Sequence, residues 1–140
     1  MALTRRHIYV EDGSCSLCGS GDEDVMHLFT GCGFSSGVWS LVGQWCKIDP
    51  ILAFHFNDLL GMHELIEGGK WAKKVIRGIM MVTCWAIWKS RNDKIFRGSS
   101  PRVIDVVAMV KACSFLWLKN RSNFGCIVWK DWALNPLYML

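Results

Sequence analysis

Cys15, Cys18, His27 and Cys32 stand in the order C-x2-C-x8-H-x4-C within the stretch CSLCGSGDEDVMHLFTGC. Three thiols and an imidazole make a tetrahedral zinc shell, and the short spacers let each pair turn toward one ion from opposite ends of a loop. With all four positions filled by protein, no water is left to activate, so the spacing predicts one structural Zn2+ and no catalytic residues. Two rival readings are weaker. A thioredoxin-like redox pair needs its C-x-x-C where a strand passes into a helix, whereas here CGSGDED continues as loop. The other rival is a chance cluster in a chain of seven cysteines. Cys46, Cys84, Cys113 and Cys126 sit among apolar residues and read as core or incidental thiols. His7, His55 and His63 have no ligand-spaced partner, and spacing assembles no Ser/His/Asp or Cys/His catalytic set.

The elements that must position the four ligands differ sharply along the chain. Gly and Ser cluster through EDGSCSLCGSGDED and TGCGFSSG, so residues 11 to 37 read as loops and short turns, poor in core material and dependent on the metal. From Phe34 the pattern turns helical. Val38, Trp39, Leu41, Val42 and Trp45 recur at helical spacing after Ser35 and Ser36, either of which can cap a helix, and Pro50 closes the region. A short helix is expected near 57–62. The longest helix runs from Gly69 to about Phe96, with Trp71, Val75, Ile79, Val82, Trp85 and Ala86 lining one side. RGSSP breaks it; Ser100 then serves as cap and Pro101 as first residue of a helix reaching about Asn120. Eight tryptophans suit core packing, and Pro136 argues against a long final helix.

Charge divides the chain. The whole carries 16 Lys/Arg and 12 Asp/Glu, net +4, but residues 1–69 hold three against nine, for −6, and residues 70–121 hold twelve against two, for +10. Lys70, Lys73, Lys74 and Arg77 recur at i, i+3, i+4, i+7 and share a helix face, with Lys89, Arg91, Lys94 and Arg97 following toward the helix end. That pattern fits phosphate binding, and it fits equally a solvated polar face. For Arg91 and Asn92, next to the paired tryptophans, a structural role is favoured over base reading, with Arg91 packed on a ring or Asn92 closing a hydrogen bond near the helix end. The knuckle is unsuited to phosphate: zinc with three thiolates has a formal charge of −1, and Asp22, Glu23 and Asp24 lie between the ligand pairs.

Glu23, His27, Leu28, Phe29 and Cys32 after a C-x-x-C, then Phe34, Ser35, Val38 and Trp39, and later WAIWKSRNDKIF, together form a recognisable set. This set resembles the zinc-binding domain that follows the polymerase in plant non-LTR (LINE-type) retrotransposon reverse transcriptases, over roughly residues 3 to 97. Trp85, Trp88, Arg91, Asn92 and Phe96 are the downstream part of the match, and the region past Gly98 is less characteristic. The resemblance implies zinc at Cys15, Cys18, His27 and Cys32 and a role in holding RNA or target DNA for the reverse transcriptase. The polymerase itself has no counterpart here. Without adjacent aspartates, and with only Tyr9 and Tyr138, no Tyr-X-Asp-Asp metal site can be written, so the chain is expected to be non-enzymatic.

The fold expected from these readings is mainly α: a small CCHC zinc knuckle of loops or a short hairpin, then a bundle of about three to four helices, in one compact domain. Its parts are an N-terminal arm and knuckle at 1–33, a helical region at 34–121 and an irregular aromatic tail at 122–140. The N-terminus lacks the apolar run of a secretory signal, and no segment reaches the ~18 uncharged apolar residues of a membrane span. With an odd number of cysteines, this predicts an intracellular protein in a reducing compartment, nucleus and cytoplasm being equally compatible. Two functions are consistent with the sequence. One is a nucleic-acid-binding module, with RNA or DNA and a separate reverse transcriptase polypeptide as partners, and neither a membrane nor a small-molecule substrate. The other is a protein-interaction module or inert retroelement remnant whose zinc only maintains a fold.

Overall fold

The computed structural model describes residues 15–19, 24, 26–48, 56–64, 69–121 and 127–137. The N-terminal arm, Pro50, His7, His55 and Cys126 lie outside them. Among the described residues the chain is helical, without strands. A five-residue turn wound as a π-helix, α1 (His27–Gly31), leads into α2 (Gly33–Cys46). A short α3 (Phe56–Gly61) runs on into a 3-10 turn (Met62–Glu64), and two long helices follow, α4 (Lys70–Arg97) and α5 (Val103–Arg121). The last element is α6 (Trp129–Leu134). The expected mainly helical bundle behind a Cys/His cluster is thus present; the described part of the knuckle consists of a turn at 15–19 and α1, and α6 lies within the tail expected to be irregular.

Helical period sorts α4 by burial. Val75, Ile76, Ile79, Met80, Thr83, Ala86, Ile87 and Ser90 form its buried side, which packs mainly on α5. Buried hydroxyls on both helices are satisfied within their own backbone: Thr83 Oγ1 donates to the Ile79 carbonyl at 2.7 Å and Ser114 Oγ to the Val110 carbonyl at 2.6 Å. In this contact, toward the C-terminal end of α5, the Trp117 ring lies against Gly78 of α4. A Cβ at position 78 would stand 2.4 Å from Cη2 and Cζ3 of that ring, so only glycine admits this approach. Gly98, at φ 65°, ends α4 in the left-handed conformation.

Two boundaries and one burial pattern differ from the expectation. Ser35 and Ser36 do not cap α2, which already starts at Gly33; Ser35 is buried within it. Ser100 does not cap α5 and Pro101 is not its first residue. The helix starts at Val103, the Arg102 carbonyl accepts its first bond from the Val106 N–H at 3.1 Å, and Arg102 pairs with Asp105 across that turn. Trp71 and Trp85 do not line the core side of α4; both stand about half exposed. The fully buried tryptophans are Trp39, Trp45 and Trp132, with Trp117 partly buried against the core.

α2 is the central strut of the fold. One side meets α1, and another meets α5 and α6, where Trp45 and Trp132 pack edge-on with ring centroids 5.6 Å apart. The Trp45 indole donates to the Trp132 carbonyl at 2.8 Å, and the Trp132 indole to the Lys111 carbonyl at 3.0 Å, so neither buried N–H is left unsatisfied. The segment bearing the ligands is richer in core than expected: Leu17, Leu28 and Phe29 are buried in the same apolar cluster as Val38, Trp39 and Val42. None of the helices among the described residues is long and apolar enough to cross a membrane.

Candidate metal centre

Two short pieces of backbone present the four ligands. Residues 15–19 form a tight turn closed by the Gly19 N–H donating to the Cys15 carbonyl at 2.8 Å, with Gly19 at φ 74°, which brings Cys15 and Cys18 to one side. His27 opens α1, and Cys32 sits in extended conformation between α1 and α2. The Asp24 carboxylate accepts the His27 backbone N–H at 2.7 Å and so caps the turn that carries the imidazole. This role for Asp24 was missed at the sequence level, although an acidic residue three positions before a ligand at a helix start is the available signal.

At the other end of α1 its carbonyls are taken up by α2. Ser35 Oγ donates to the Leu28 carbonyl, and the buried Trp39 indole donates to the Phe29 carbonyl at 2.9 Å. Both acceptors lie near the end of a helical turn, where carbonyls lack intrahelical partners. Ser35 and Trp39 therefore fix the register of α1 on α2, and with it the positions of His27 and Cys32.

The donor atoms of Cys15, Cys18, His27 and Cys32 all lie within 4.8 Å of one another. Cys15 Sγ and Cys32 Sγ are 3.7 Å apart, and Cys18 Sγ is 3.3 Å from His27 Nε2. A disulfide needs sulfurs ~2.05 Å apart, so the Cys15–Cys32 separation is not that of a bond. It matches instead the edge of a tetrahedron built on ~2.3 Å metal–sulfur bonds, which is about 3.75 Å. The cluster can therefore hold a metal ion, and its donor set fits one that accepts sulfur and nitrogen in tetrahedral array.

Burial pushes the Cys15 thiol up to about 12, against backbone hydrogen bonds from Cys18 and Leu17 that pull it down, while the adjacent Cys32 adds to the rise. Two buried thiolates this close repel each other unless a cation lies between them. Metal uptake must then displace protons.

The basic residues do not form one surface. Lys70, Lys74 and Arg77 are exposed along the first two turns of α4, with Lys73 half-buried beside them and the Lys74 ammonium 5.1 Å from the centre of the Trp71 ring. Lys94 is exposed further on. Lys89 is engaged by Asp93 at 2.7 Å, a hydrogen bond that holds the Asp93 carboxyl below its usual range, and Arg97 approaches the same carboxylate at 3.9 Å. Arg91 is the correction: it is 3% exposed and its guanidinium donates to Asn92 Oδ1 at 2.6 Å, so it belongs to the core side and not to a phosphate-binding face. Of the other thiols, Cys46 is buried and Cys84 and Cys113 are half-buried, outside the ligand cluster. Comparison with protein-family models, with curated proteins and with solved structures finds no match to this chain.

Proposed function

We propose that this chain is a non-catalytic nucleic-acid-binding module whose N-terminal segment is fastened by one structural zinc ion, related to the zinc-binding domain that follows the polymerase in plant non-LTR retrotransposon reverse transcriptases. Bound at Cys15, Cys18, His27 and Cys32, zinc would supply a cross-link and no reactive site, since all four positions go to protein atoms. The choice of zinc rests on the three-thiol, one-imidazole donor set and on the tetrahedral edge between Cys15 and Cys32. The observation that carries nucleic-acid binding is the exposed run Lys70, Lys74 and Arg77, with Lys73, along one face of α4. Its charge is uncompensated by acids on that helix, where Asp93 is the sole carboxylate. The half-exposed tryptophans of α4 favour a second reading, docking on a polypeptide such as a separate reverse transcriptase.

A salt titration separates the two. Each phosphate contact contributes about 0.9 to the slope of log K against log salt on duplex DNA, so changing Lys70, Lys73, Lys74 and Arg77 to Ala lowers the slope by up to about 3.6. Neutralising Asp22 and Glu23, with Asp24 kept because it caps the turn of His27, leaves binding unchanged or tightens it. Binding by the parent that is independent of salt, or a helix variant with the parent's slope, refutes the nucleic-acid reading.

A further inference from the structure

Past Arg77 the outer face of α4 changes character. Met81, Trp85 and Trp88, at i, i+4 and i+7, are 58%, 45% and 51% exposed, and Phe96, two turns on, is 60% exposed. This is a ridge of large apolar side chains on the same face as Lys70, Lys74 and Arg77, which precede it along the helix, while Lys89, beside Trp88, is shared with Asp93. Contiguous exposed apolar groups of this kind mark a binding surface.

We infer that the ridge is a stacking platform for single-stranded nucleic acid, with bases on Trp85 and Trp88 and the phosphates on the cations that precede them. The inference rests on the reading of α4 as a nucleic-acid-binding helix and narrows its ligand. Aromatic faces interleaved with cations are the shared feature of single-strand binders, because every base offers a face to stack while the backbone needs only positive charge. A duplex keeps its bases stacked on each other and leaves the indoles without a partner.

Charge argues against the ridge pairing with a second copy of the chain. α4 carries eight Lys/Arg and one acidic residue, so two such helices face to face repel each other. A helical peptide is better served elsewhere, in a cavity of about 550 Å3 between α2, α5 and α6 lined by Leu41, Trp45, Ile104 and Leu134. The rings of α4 stand out singly from one helix, at heights about 4.5 Å apart for Trp85 and Trp88, a spacing suited to individual bases.

The test compares U20 and dT20 with a 20-base-pair duplex over a range of salt, using the full zinc-loaded chain. The parent should bind the single strands more tightly than the duplex. Changing Trp85 and Trp88 together to Ala should weaken single-strand binding at least tenfold, since each lost stacking contact is worth about 5- to 150-fold. The salt slope and the duplex affinity should stay within error of the parent. Trp85→Phe with Trp88→Phe should recover most of the loss, which separates stacking from any folding defect. A double Ala variant that binds U20 like the parent overturns the stacking role while leaving the basic-face reading intact. Loss of duplex and single-strand binding together, with no rescue by Phe, also overturns it. If the parent shows no salt-dependent binding to either form, both readings fail; self-association abolished by the same Ala changes would assign the ridge to a second copy instead.

Discussion

Stripping the metal should weaken the helical body as well as the segment that holds the ion. Residues 15–32 bury Leu17, Leu28 and Phe29, worth about 1.5–3 kcal/mol each. That does not offset the ordering of the thirteen described residues of this segment at about 1–2 kcal/mol apiece, so the segment detaches once its cross-link is gone. When it leaves, α2 loses two hydrogen-bond acceptors, the Leu28 and Phe29 carbonyls used by Ser35 and Trp39, at about 1 kcal/mol each. It also loses cover over the buried Trp39, about 2 kcal/mol if that ring is uncovered. The helical body is thus weaker by roughly 4 kcal/mol, a large part of the 5–15 kcal/mol typical of a domain. In melting temperature this is a drop of about 10–15 °C. The assay is thermal unfolding followed by circular dichroism at 222 nm (a helix signal), with and without chelator, and with metal added back. Metal-free protein that melts with the loaded protein, its helical signal intact, would refute the coupling through Ser35 and Trp39.

Two further outcomes test the site and the packing that presents it. Metal analysis of Cys18→Ser should find loss of stoichiometric zinc while Cys113→Ser keeps it; equal contents would remove Cys18 from the ligand set. Gly78→Ala should destabilise the loaded protein by about 1–3 kcal/mol through the clash with Trp117, partly offset by the ~1 kcal/mol gain in helix propensity. Chemical denaturation measures it, and a variant more stable than the parent would show that the two helices separate freely at this point.

What the sequence makes legible here depends on how local the determining interaction is. The four ligands can be read from spacing because C-x2-C and H-x4-C each close within a few residues, and the structure brings all four together. α4 can be read from period because its buried side repeats from Val75 to Ser90, about four turns, and α5 can be placed by the RGSSP break that precedes it. The caps fail for the opposite reason. Ser35 looks like a capping serine until its hydroxyl is seen to serve Leu28, a carbonyl of the preceding turn, and Ser100 gives way to Arg102 and its ion pair with Asp105. Residue type also misleads at the surface. A tryptophan or methionine at helical spacing reads as core, yet Met81, Trp85 and Trp88 fall on the same azimuth as Lys70, Lys74 and Arg77, and azimuth decided their exposure. Arg91 is the mirror case, a charged residue drawn to the buried side with its guanidinium held by Asn92.

The hydrogen bond from Trp45 to Trp132 joins positions 87 apart, whereas Cys15 and Cys32 are 17 apart. Closing the longer loop costs about 1.4 kcal/mol more in chain entropy. It also requires residues synthesised much later. On a ribosome, the ligand set is complete while α4 is still to be made, so ion capture and the docking of α1 on α2 can precede every contact with α5 and α6. The side of α2 that will receive Trp132 then stays uncovered for most of translation, leaving Trp45 as an apolar surface open to chaperones or to neighbouring chains. Refolding from denaturant has no such order, because both closures compete from the start. A nascent chain that loads its ion early and a purified chain refolded with zinc should therefore differ in yield more than in final structure.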